Sequence, residues 1–210
     1  MIKPSQYNIK GLYVVTPDIL EVELLIEKVQ SALKGGASLV QYRNKYADKN
    51  LLLKQSTALL ALCRSYGVPL IINDHLDLCA KIDADGLHLG ATDSDLGAAR
   101  RLLGPDKIIG ASCYNWFDLA LLAQDAGASY VAFGACFPSE TKPDAVRAPL
   151  SLITQAKQVL SIPVVGIGGI TIDNAPLLLE AGADAVAVIT DVFFDDDIQA
   201  ISHQYSQLFT

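Results

Sequence analysis

The 210-residue sequence predicts an α/β fold in which eight parallel strands close into a barrel ringed by helices. Three observations point there. Short β-rich runs alternate with longer stretches of helical apolar spacing from one end of the chain to the other. A glycine-alanine pair recurs where a helix gives way to a strand. The length, with 51% hydrophobic and 19% charged residues, suits one substantial core rather than two cores or a disordered chain.

The β-rich runs are residues 12–16 (LYVVT), 39–43 (LVQYR), 70–73 (LIIN), 86–89 (GLHL), 108–112 (IIGAS), 130–134 (YVAFG), 164–167 (VVGI) and 185–189 (AVAVI). Between them lie stretches such as 51–66 and 117–126, whose 3.6-residue apolar period and length fit crossover helices. Gly36-Ala37-Ser38, Gly127-Ala128-Ser129 and Gly182-Ala183-Asp184 each close a helix and lead into a strand, and Asp83-Ala84-Asp85 is a degenerate fourth copy. Glycine suits a left-handed helix terminus, and the small residue after it lets the strand begin at once. Repetition of this kind implies one repeated βα unit. Eight such units with right-handed crossovers satisfy closure, so residues 1–210 are expected to form a single compact (β/α)8 TIM barrel, with a doubly wound open sheet as the alternative. Either fold places its ligand at the C-terminal ends of the strands.

Composition excludes several function classes. A net charge of −7 and a pI near 4.8 oppose a nucleic-acid or anionic-membrane surface, which would need a clustered cationic field. No stretch reaches the roughly 20 apolar residues of a membrane span, and residues 1–10 lack the apolar core of a secretory signal, so a cytoplasmic protein is expected. Cys63, Cys79, Cys113 and Cys136 form no CxxC pair and are expected to be reduced, mostly buried thiols. With only three histidines, a histidine-rich metal site is not expected.

The strand ends carry the polar groups. In the second run a period of two puts Leu39, Gln41, Arg43 and Lys45 on one side, with Val40 and Tyr42 facing the helices; two cations at a barrel mouth suit a polyanion. The third run ends in Asn73-Asp74, and Asp93 follows the fourth. Two carboxylates at one rim suit Mg2+, whose usual shell is one or two carboxylates with phosphate and water, although each Asp alone could be a helix N-cap. After the sixth run, Ser139, Thr141 and Lys142 offer hydroxyls and an ammonium to phosphate oxygens, in a connection long enough for a lid. Gly166-Ile167-Gly168-Gly169 ends the seventh run, and Ile189-Thr190 the eighth. Glycines there leave the path of an anion clear, between the two strand ends where such barrels bind phosphate. Two anion sites imply two phosphorylated substrates, and no Ser-His-Asp or Cys-His arrangement suggests covalent catalysis. His88, within the fourth run, is expected to be a structural, hydrogen-bonded histidine.

In order along the chain, GLYVVTPD, QYRNK, IINDHLDLC, DGLHLG followed by Asp93, IGASCYN, YVAFGACFPSETK and IPVVGIGGIT resemble the thiamine phosphate synthase family over nearly the whole sequence. The resemblance implies condensation of a hydroxymethylpyrimidine diphosphate with a phosphorylated hydroxyethylthiazole, with Mg2+ required and a homo-oligomer expected. It implies that Asp74 and Asp93 hold the metal. Arg43, Lys45, Asn73, Ser139, Thr141 and Lys142 would contact the diphosphate; Gln41 and Ser112 would orient the pyrimidine; Gly169, Ile189 and Thr190 would surround the thiazole phosphate. Lys142, Arg43 and Ser112 are the expected catalytic residues. Ala91, Thr92 and His75 depart from the family pattern, which commonly has glutamine, an acid and arginine there. Two other readings are a thiazole tautomerase of the same superfamily, which tends to carry a histidine just after the fifth strand, and a non-catalytic barrel that binds thiazole or thiamine phosphate.

Overall fold

The computed structural model describes residues 8–90, 96–138 and 146–210. Strands and helices alternate as β1 (Gly11–Val15), α1 (Val22–Lys34), β2 (Leu39–Tyr42), α2 (Lys49–Ser65), β3 (Leu70–Asn73), α3 (Leu76–Lys81), β4 (Gly86–Leu89) and α4 (Leu96–Leu103). They continue as β5 (Ile108–Tyr114), α5 (Phe117–Asp125), β6 (Tyr130–Phe133), α6 (Leu150–Val159), β7 (Val164–Ile167), α7 (Ala175–Glu180) and β8 (Ala185–Val188). A short α8 (Thr190–Phe193) and a final α9 (Ile198–Gln207) complete the chain. The strands pair in sequence order, all parallel, and β8 closes on β1 with Gly11 opposite Ala185 and Val14 opposite Val188. Closure rules out the open-sheet alternative.

Alternation along each strand divides the apolar residues into two cores. Tyr13, Leu39, Ile71, Ile108, Tyr130 and Val165 fill the barrel interior. Leu12, Val14, Val40, Tyr42, Ile72 and Leu87 face outward into the layer beneath the helices. The helices meet them with apolar stripes; in α1 the buried Leu25, Val29, Ala32 and Leu33 follow the helical period. Inside the barrel, a Cβ on Gly110 would collide with the Tyr130 ring, so the absence of a side chain there gives that ring its place.

The glycine-alanine repeat has a physical basis. Gly36, Gly127 and Gly182 have φ of 100°, 91° and 100°, and the degenerate Asp83 has φ 55°. Each ends its helix with the same bond pair, as in Ala37 N to Ala32 O at 3.1 Å and Gly36 N to Leu33 O at 3.0 Å. The third residue then clips the preceding strand. Ser38 Oγ donates to Leu12 O, while Leu70 N donates to Asp85, Ile109 N to Ser129 and Val164 N to Asp184. These clips join β1 to β2, β3 to β4, β5 to β6 and β7 to β8. The repeat is therefore two βα units long, a quarter of the barrel, rather than one unit. Gly67 (φ 69°) ends α2 with the same bond pair but is followed by Val68, which hides it from a search for glycine-alanine.

Strand ends differ from the sequence expectation by a few residues. β2 stops at Tyr42, and β8 at Val188, where Ile189 begins the turn into α8. β5 runs on to Tyr114 through a register shift after Ser112.

Because nothing lies within 4 Å of where a Cβ on Gly67 would stand, Gly67→Ala should cost only backbone strain, about 1 kcal/mol of unfolding free energy in urea denaturation.

Candidate active site

Period-two alternation brings Tyr13, Gln41, His88, Ser112 and Tyr130 into the barrel from five strands, and they hydrogen bond in series. Gln41 Nε2 donates to Tyr13 Oη at 2.8 Å, and the two tyrosine hydroxyls meet at 2.7 Å. His88 Nδ1 lies 2.8 Å from Tyr130 Oη, and its Nε2 lies 2.8 Å from Ser112 Oγ. The rings support the same arrangement: Tyr13 packs edge-on to Tyr130, and His88 stacks on it with centroids 5.6 Å apart. Burial raises both phenol pKa values, so the tyrosines stay neutral. Burial pushes His88 down to about 4, which keeps it a neutral, doubly hydrogen-bonded imidazole near neutral pH.

At the ends of β2 and β3, beside α2, a cleft of about 380 Å3 is lined by Arg43, Asn44, Lys45, Asn73, Asp74 and His75, with Ala47 and Leu52. Although β2 ends at Tyr42, the β1–α1 loop holds the next residues in place. Thr16 Oγ1 donates to Arg43 O and accepts from Arg43 N, each at 2.9 Å. The Asp18 carboxylate accepts from Lys45 N at 2.7 Å and pairs with the Arg43 guanidinium at 3.3 Å. Asn44 is buried beside α2, donating to Ile19 O and Gln55 Oε1 and accepting from Tyr46 N and Ala47 N.

Asp74 adopts a left-handed conformation (φ 62°), tolerated by Asp and frequent where a site stores strain. Its N–H donates to His88 O at 2.9 Å, and Asn73 Nδ2 donates to its carboxylate at 2.6 Å. Among the described residues no group of three His, Cys, Asp or Glu could hold a metal. Mg2+ does not need one: a carboxylate beside an amide, in a cleft with cations for phosphate, fits its preference for oxygen ligands and retained water. Asp93, Ser139, Thr141 and Lys142 lie outside the described residues.

At the opposite side of the rim, Gly168 (φ 96°) and Gly169 (φ 64°) follow β7. Thr171 N donates to Asn174 Oδ1, and Asn174 Nδ2 donates to Gly169 O, which fixes the loop. A Cβ on Gly169 would run into the Phe137 and Pro138 carbonyls, and one on Gly168 into Ala135. These glycines are thus required by close packing of the β6 and β7 loops. Ile189 and Thr190 sit at the β8–α8 junction, where Asp191 accepts from Ile172 N at 3.0 Å and Tyr205 Oη at 2.6 Å.

Arg43, Lys45, Asn73 and Asp74 thus share one cleft at the ends of β2 and β3, Gln41 and Ser112 join the interior chain from β2 and β5, and Gly169, Ile189 and Thr190 stand at the ends of β7 and β8. The sequence reading passed over Tyr13, Tyr130, Thr16 and Asp18. The tyrosines share the inward parity of Gln41 and Ser112, which was a usable signal; Asp18 acts through tertiary contact alone. The four cysteines are free and buried, their thiols pushed up to about 11 for Cys136 and about 12 for Cys63, Cys79 and Cys113, so none is a ready nucleophile. No described helix is long and apolar enough to cross a membrane.

A family model described as thiamine monophosphate synthase matches residues 12–192. The chain is 53% identical over 209 residues to the thiamine-phosphate synthase of Methylobacillus flagellatus, covering all of both chains. It is 51% identical over 211 residues to that of Nitrosomonas eutropha, again over the full length of both. Among solved structures, thiamine phosphate pyrophosphorylase from Pyrococcus furiosus superposes with a TM-score of 0.85 at 35% identity, over 95% of each chain.

The buried imidazole makes stability depend on pH. An unfolded His88 takes up its proton near 6.5 and the folded one near 4, so its contribution is complete above 6.5 and is lost as pH falls through that interval. The wild type should lose up to about 3 kcal/mol more than His88→Gln between pH 7 and 4 in chemical denaturation. Parallel curves for the two proteins would remove His88 from this account.

Proposed function

The chain belongs to the thiamine monophosphate synthase family, and we propose that its rim couples an aminopyrimidine diphosphate to a thiazole phosphate, giving thiamine phosphate and diphosphate. It is a transferase of thiamine biosynthesis. The observation that carries the site assignment is the convergence of Arg43, Lys45, Asn73 and Asp74 in one cleft at the ends of β2, which carries Gln41, and of its neighbour β3.

The chemistry suits these groups. The carbon–oxygen bond to diphosphate breaks with both electrons leaving on oxygen, and the electron-rich ring stabilises the resulting cation. The thiazole nitrogen then donates its lone pair to form the carbon–nitrogen bond. That nitrogen carries no proton, so no general base is needed. Arg43, braced by Asp18, and Lys45 neutralise the departing charge, with Lys142 assigned the same task; Asn73 donates to phosphate oxygen. Gln41 and Ser112 hold the pyrimidine, and the ends of β7 and β8 seat the thiazole phosphate. Asp74 and Asp93 would hold Mg2+, which supplies further charge neutralisation when bound. The same reading includes one catalytic domain spanning the chain and a cytoplasmic homo-oligomer.

Incubation with both phosphorylated substrates and Mg2+ should release diphosphate, and neither substrate alone should do so. Isomerisation of the thiazole alone would support the tautomerase reading, which lacks a histidine after β5 here, and binding without turnover the non-catalytic one. Asp74→Ala should abolish most Mg2+-dependent turnover, and Lys142→Ala should lower kcat by roughly 100-fold with smaller changes in KM. Steady-state rates equal to wild type would reject either role.

A further inference from the structure

The interior hydrogen bonds run one way, and the orientation of the Gln41 amide sets which way. Gln41 Nε2 donates to Tyr13 Oη. Tyr13 is completely buried, so its own proton needs an acceptor, and Tyr130 Oη at 2.7 Å is the one within reach. Tyr130, also fully buried and now an acceptor, must donate in turn, and its other partner is His88 Nδ1. An imidazole that accepts at Nδ1 carries its proton on Nε2 and donates that proton to Ser112 Oγ. The Ser112 hydroxyl proton is then left for the site, because no described residue accepts it. At the other end, Gln41 Oε1 has no partner among the described residues, where the only closed-off side-chain polar atom without one is Ser202 Oγ. Gln41 Oε1 is therefore not sealed off, and its residue stands one position short of the C-terminal end of β2.

We propose that Tyr13, Tyr130 and His88 are positioning residues that form a one-way hydrogen-bond chain from Gln41 to Ser112, so the floor presents an acceptor at Gln41 Oε1 and a donor at Ser112 Oγ. An aminopyrimidine offers the complement, an exocyclic N–H donor and a ring-nitrogen acceptor. The 4-oxo analogue offers the reverse, a carbonyl and a ring N–H. Reversing the chain would turn the Gln41 amide over and direct the Ser112 proton back to His88, so the orientations of two groups on different strands are set together. This inference rests on the aminopyrimidine reading above and adds the residues that set its specificity.

Two measurements test it. In wild-type protein without substrate, 15N-edited spectra of the imidazole should show His88 protonated on Nε2; protonation on Nδ1 overturns the direction of the chain. Kinetically, Tyr130→Phe and Tyr13→Phe each remove one hydroxyl while keeping the ring. Each should raise KM for the pyrimidine diphosphate about tenfold and leave KM for the thiazole phosphate unchanged. Tyr13→Phe/Tyr130→Phe should be no worse than either single change, and each single variant should narrow the preference for the 4-amino over the 4-oxo substrate at least tenfold. Additive effects, or an unchanged preference in variants with wild-type circular dichroism, overturn the proposal. If Tyr130→Phe fails to fold, Tyr13→Phe and the wild-type tautomer still decide the matter. A wild type that turns over neither pyrimidine defeats the functional reading, while the tautomer still reports on the chain.

Discussion

Parallel closure of β8 on β1 is the constraint from which the remaining structure follows. An open sheet leaves two edges and spreads its strand ends along a line; a closed one gathers eight C-terminal ends around a single mouth. Closure also makes the inward face a scarce volume. Side chains that would be unremarkable on an open sheet must share it, and a tyrosine ring enters only because Gly110 has no side chain. The polar chain from Gln41 to Ser112 is possible because five strands direct one residue each into that volume.

The two ends of the barrel carry different burdens. At the N-terminal end, five left-handed helix stops end the helices alike and four side-chain clips tie each odd strand to its successor, so the register is set by local bonds that carry no chemistry. At the C-terminal end the backbone departs from regularity: Asp74 is left-handed, β5 shifts register after Ser112, and β6 and β7 loops pack so closely that side chains are excluded. Stability at one end tolerates strain at the other. Loops at the mouth can therefore be shaped by ligand rather than by folding.

Electrostatics inside the site follow the same division. In the interior, Tyr13, Tyr130 and His88 are neutral because burial penalises their charged forms more than any neighbour favours them. The charged side chains of the site stand at the rim, where Arg43 and Asp18 pair at partly exposed positions. A neutral floor beneath a charged mouth suits a ligand with an uncharged ring and a polyanionic tail.

Much of this was legible in the linear chain. Alternation in LVQYR placed Gln41 opposite Tyr42, and Tyr42 indeed bonds Gln55 on α2 while Gln41 bonds inside the barrel. The glycine-alanine motif marked helix stops because left-handed geometry selects glycine locally. The rest depended on distance. Nothing within residues 12–18 relates Asp18 to Arg43, and no spacing announces that Tyr13 will meet Tyr130, 117 positions away. Strand period, helix ends and inward parity arise from interactions over a few residues, so the sequence alone determined them. Which inward groups touch, which proton each donates, and that the glycines after β7 serve loop packing were decided only when closure brought distant strands together. Those contacts depend on the shape of the enclosed volume, which no local segment contains.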